Sequence, residues 1–176
     1  MSTSNPLAAL LRGQLKAAHD VLEGTMQGVT PAMAAWQPPG TANSLGATYA
    51  HVVVSEDGLL NGMGRGIVPL MAGSWAGKTG LSEPPPQDGK WHEWGQRLTV
   101  DVDALRAYAQ AVFTASDDYL ASISDSDLDQ VRDFSALGFG QQPLGWLFSI
   151  LVANVQWHTG EVSCLKGLQG EKGYPF

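Results

Sequence analysis

Residues 143–167 read PLGWLFSILVANVQWHTGEVSCLKG, and the placement of this stretch decides the fold. Proline suits the first turn of a helix, where its missing N–H would have had no partner. Gly167 or Gly170 suits the end. At about 100° per residue, Leu147, Leu151, Asn154, His158, Glu161 and Leu165 fall within one narrow arc. A second stripe of Trp146, Ile150, Ala153, Trp157 and Cys164 lies beside it. This pattern predicts a helix apolar over most of its circumference and largely buried. Three polar side chains on such a helix are costly unless they are hydrogen-bonded, paired or ligated.

Three more helices can be bracketed outward from this one. From Pro6 to about Gly28, Leu7, Leu11, Leu15, Ala18, Leu22 and Met26 recur at steps of three and four, with Asn5 placed to cap. TPAMAAWQPPGTANS breaks that pattern, and Asn43 or Ser44 can cap a second helix from Leu45 to about Met63. A third runs from about Asp101 to Ser122, its acidic start complementing the positive end of the helix dipole. Gly64 to Val100, rich in glycine and proline and including EPPPQDG, shows no sustained period and reads as a long crossover with at most a short helical turn. SDSDLDQVRDFSALGFGQQP reads as a polar connection. Four long helices without a convincing strand pattern predict an all-α four-helix bundle, one domain over residues 1–176.

Charge and cysteine usage exclude several classes. With 10 Lys+Arg against 17 Asp+Glu, the net charge of -7 repels phosphate backbones, so nucleic acid is not an expected partner. Cys164 is the single cysteine and rules out an internal disulfide. MSTSNPLAALLRGQLK holds no apolar stretch long enough for a signal peptide or a membrane span. A soluble cytoplasmic protein with no membrane partner is expected. GMGRG follows a helix and lacks the Lys-Ser/Thr of a phosphate loop.

On the second helix, Leu45, Tyr49, Val52, Glu56, Leu59 and Met63 share a stripe, while His51 falls on the neighbouring face with Thr48 and Ser55. Periodicity therefore favours Glu56 as the inward polar group. His19, at the border of the first helix's stripe, reads as a satisfied half-buried histidine. His92, in WHEW, reads as a surface or lid residue. Cys164, on the tryptophan stripe, reads as core rather than nucleophile. Taken alone, Asn154, His158 and Glu161 fit either a hydrogen-bonded cluster or part of a metal site completed from other helices.

HTGEVSCLKGLQGEKGYPF, LGATYAHVVVSEDGLL and the tryptophan-rich loop between them resemble the DinB-like (YfiT-like) superfamily of four-helix proteins, over nearly the whole chain. The resemblance implies an up-up-down-down bundle, usually dimeric, with a divalent metal held by one histidine of the second helix and an H-x-x-x-H pair of the fourth. Characterised relatives include thiol-dependent S-transferases and a mycothiol-dependent maleylpyruvate isomerase. Carried over, His51 matches the second-helix ligand and His158 the second member of the pair, while Asn154 stands at the first. An amide oxygen is a weaker, harder ligand than imidazole for zinc or nickel. Glu161, Glu56 or His19 are the side chains available to complete the set.

Two functions follow from the resemblance. One is a metal-dependent transferase, or hydrolase-like enzyme, acting with a small thiol of the mycothiol or bacillithiol type, or another small ligand, at an altered metal site. The other is a metal-free, non-catalytic bundle that binds or dimerises, its polar trio a hydrogen-bond network. A homodimer is expected because the last helix, Trp146 and Trp157 included, carries more apolar surface than one bundle seam requires.

Overall fold

The computed structural model describes residues 5–176. Its α-helices follow in the order α1 (Pro6–Thr25), α2 (Pro31–Ala35), α3 (Leu45–Asp57), α4 (Trp91–Arg97), α5 (Val102–Ser122) and α6 (Leu144–Gly167). Local chemistry sets several of the starts. Ser44 accepts from the Ala47 N–H at 3.2 Å and opens α3, and Asp101 does the same for Ala104 at 3.1 Å ahead of α5. Asn5 makes no such bond to α1. The Asp125 carboxylate instead accepts from the N–H groups of Leu7 and Ala8, capping the helix from far along the chain.

The long helices α1, α6, α3 and α5 pack in that cyclic order around an all-α core. Residue pairs fix their directions. Arg12 meets Asp117 and Glu23 meets Arg106, so α1 and α5 are antiparallel. Gly46 lies against Val100 and Glu56 reaches Ser116, so α3 and α5 are parallel. His51 sits beside His158 and Gly64 beside Leu147, so α3 and α6 are antiparallel. The bundle is thus up-down-down-up, a correction of the up-up-down-down order that the resemblance implied. Parallel neighbours α3 and α5 require a connection that recrosses the length of the bundle, and residues 64–100 supply it.

Short elements replace parts of the expected loops. α3 continues into a π-helical turn, Gly58–Gly64, and α2 and α4 fall in segments without a period of their own. A hairpin of β1 (Val131–Asp133) and β2 (Gln141–Pro143) pairs Val131 with Pro143 in antiparallel register. Three-residue strands are too short to show alternation in sequence.

The buried line of α6 differs from the expected arc. It runs through Leu144, Leu147, Phe148, Leu151, Val155, Thr159, Val162, Leu165 and Lys166. The leucines of the expected arc are buried, whereas Asn154 and His158 are half-buried and Glu161 is exposed, so the buried line is rotated away from the polar trio. Trp157 is 65% exposed and Cys164 is exposed, so neither belongs to the core. Two polar residues disguised the buried line. The Thr159 hydroxyl donates back to Val155 O at 2.6 Å, and the buried Lys166 ammonium donates to the carbonyls of Thr25 and Gln27 at the end of α1.

The crossover is fastened by one carboxylate. Asp57, fully buried, accepts from Tyr108 Oη at 2.6 Å, Asn61 Nδ2 at 2.7 Å, and the N–H groups of Leu70 and Met71, both at 2.9 Å. Burial, then the bond to Asp57, push the Tyr108 phenol pKa well up, so it remains the donor. Asp57→Ala orphans all four donors. It should lower stability by about 3 kcal/mol or more, read as a shift in the urea unfolding midpoint with helicity retained. An unchanged midpoint would show that other contacts hold the crossover.

Candidate functional site

α3 and α6 bring two histidines together. The rings of His51 and His158 lie 4.8 Å apart between centroids at 78°, and the Trp91 ring meets His51 edge-on at 4.7 Å. Ser44 and the buried stripe of α3 set the rotation of His51, while α4 carries Trp91 and Trp94 over it. His158 Nδ1 lies 2.8 Å from Glu161 Oε2, one turn further along α6. A carboxylate can only accept, so Nδ1 is the donor of this bond. Burial first, and the neighbouring His158 second, lower the His51 pKa to about 4. His51 is therefore a neutral imidazole at physiological pH, the form that ligates metals.

Asn154 stands one turn before His158. Its Nδ2 is buried with no hydrogen-bond partner, and so is Nε1 of Trp94. Such atoms are uncommon in folded proteins. A carboxamide can turn about χ2 and present its oxygen in place of the unsatisfied nitrogen. The histidines open on a cavity of about 540 Å³ whose walls include Trp91, Trp94, Glu161 and Cys164.

The other candidates lie elsewhere. Glu56 is fully buried but faces the seam of α1 and α5, where it pairs with His19 Nε2 at 2.8 Å and accepts from Ser116 Oγ at 2.5 Å. His19 also stacks on Phe113 at 3.8 Å. Neither lines the cavity of His51 and His158. His92 is exposed on α4. Cys164, read from the sequence as core, instead lines that cavity. Trp91 and Trp94 escaped the sequence reading, and their i, i+3 spacing within a glycine- and proline-rich segment was the available signal.

Among the described residues, no group of three or more His, Cys, Asp or Glu side chains gathers as a metal site. Two imidazoles in contact are a donor pair that suits a divalent ion. Asn154, one turn before His158 and with an amide lacking a partner, does not itself line their cavity.

The family model of the DinB superfamily matches residues 14–162. A crystal structure described as the conserved protein of locus from Enterococcus faecalis is 20% identical, covers 89% of this chain and 93% of its own, and superposes with a TM-score of 0.74. At that identity the likeness is one of fold. No curated protein matches the chain significantly.

The depressed His51 pKa has a measurable sign. The folded state resists protonation to about pH 4, whereas an unfolded histidine titrates near its ordinary value of 6.5. In metal-free protein, stability should fall as pH drops from about 6.5 to about 4. His158→Gln should raise the His51 pKa only part of the way, because burial is the larger cause. Nitrogen chemical shifts of the imidazole follow both effects, and a His51 titrating at 6.5 would refute this account of its environment.

Proposed function

Because the chain belongs to the DinB superfamily, we propose that it is a metal-dependent thiol S-transferase whose site keeps two imidazoles and replaces the third with an amide. The observation that carries this reading is the contact of His51 with His158 at 4.8 Å, on the cavity wall. His51, His158 and Asn154 would hold zinc or nickel. Such an ion favours the thiolate form of a bound small thiol at neutral pH.

The chain's own residues supply orientation and exclusion of water. Glu161 fixes the tautomer of His158, as a carboxylate behind a ligating histidine does. Trp91 packs its ring against His51 and shields that side from solvent. The cavity beside the histidines gives an electrophile room to approach the sulfur. A homodimer belongs to the same proposal. Trp157, 65% exposed on α6, is the apolar side chain placed for its contact. Trp157→Glu should then lower the sedimentation coefficient, and an unchanged value would remove Trp157 from any dimer contact.

Metal analysis of protein purified without chelator or nickel resin tests the site. The expected result is zinc or nickel at a substantial fraction of one per chain, lost in His158→Ala while the helices stay folded by apolar packing. Asn154→His restores the H-x-x-x-H spacing and should tighten zinc binding by roughly 10-fold or more, with the gain abolished by His51→Ala. Metal-free parent protein, together with no gain in a folded Asn154→His variant, would overturn the proposal in favour of a non-catalytic, metal-free bundle.

A further inference from the structure

The cavity does not end at the histidines. His158, Glu161, Cys164, Leu165 and Leu168 all line it, and ten residues of helix at 1.5 Å each span about 15 Å. The facing wall comes from the segment between α2 and α3, with Pro38 and Ala42 among its residues. Among the described residues, no lysine or arginine lines this channel, and the carboxylate that does, Glu161, is engaged by His158. A charged arm packed against the buried Leu165 would find no counter-charge on these walls, and an anion would also face a chain of net charge -7.

We infer that the channel along α6 receives an uncharged, extended apolar arm of the substrate, of the unbranched alkyl or acyl class, with the reacting end at His51 and His158. The identity of that reacting end rests on the thiol-transfer reading, whereas recognition of the arm needs only the channel. Cys164, midway along it and the chain's single cysteine, reports occupancy directly.

The test uses full-length protein stripped of metal by chelation. Alkylation of Cys164 by N-ethylmaleimide is followed by mass spectrometry against 1-hexanol, 1-heptanol and 1-octanol, and against the alkanoates of equal length. The alcohols should slow alkylation, with apparent affinity rising about 3–4-fold per added methylene, the yield expected of burying one CH2 group. Octanoate at pH 7.5 should bind at least about 10-fold more weakly than 1-octanol, a difference of about 1.4 kcal/mol. Leu168 is largely exposed, so Leu168→Lys should leave the fold intact. That variant should weaken 1-octanol and bring octanoate level with it. No dependence on chain length, equal binding of alcohol and alkanoate by the parent, or protection unaltered in Leu168→Lys would each overturn the inference. Protection that survives in His158→Ala separates this result from the metal analysis, so either reading can fail alone.

Discussion

A helix enclosed on nearly every side can carry polar groups only where each finds a partner, and α3 is such a helix. Leu45 to Tyr49, Val52 to Val54, Glu56 and Asp57 are all buried. Glu56 and Asp57 are consecutive carboxylates with 0% exposure, and they satisfy themselves in different directions. Glu56 ties α3 to His19 of α1 and Ser116 of α5, while Asp57 ties it to Tyr108 of α5 and to the crossover. Leaving either unpaired in the interior would cost several kcal/mol. Together they fix the rotation of α3 about its axis. His51, five residues before Glu56, then lies about 140° away around the helix, turned toward α6 and α4. The partners of the carboxylates thus decide which seam receives the histidine.

This explains how far the sequence could be read. The periodic stripe of α1 and the cap at Ser44 were legible because each is a local signal. The wheel of the second helix pointed Glu56 inward, and Glu56 is indeed buried. A wheel gives the direction of burial, however, and does not say which of two seams lies there. The resemblance favoured His51, and the structure places it beside His158. On α6 almost every side of the wheel holds apolar residues, so Thr159 and Lys166 hid the true buried line. Their polar atoms are satisfied by Val155 of the same helix and by the end of α1. Only the second of these depends on tertiary structure, and no local pattern announces it. The capping of α1 by Asp125 is invisible for the same reason.

The cyclic order α1, α6, α3, α5 carries a consequence for how the chain reaches this structure. α1 and α3 follow one another in sequence, as do α5 and α6, yet both pairs face each other across diagonals. α3 and α5 are neighbours but parallel, separated by the whole crossover. No two consecutive long helices form a side-by-side antiparallel hairpin that could assemble early and template the rest. Contacts such as Lys166 with Thr25, 141 residues apart, must close large loops before their interaction energy is gained. Such a bundle has a high contact order for a helical protein. It is expected to fold more slowly than an up-down-up-down bundle of equal length, and the cavity between α3 and α6 forms only when that late closure is complete.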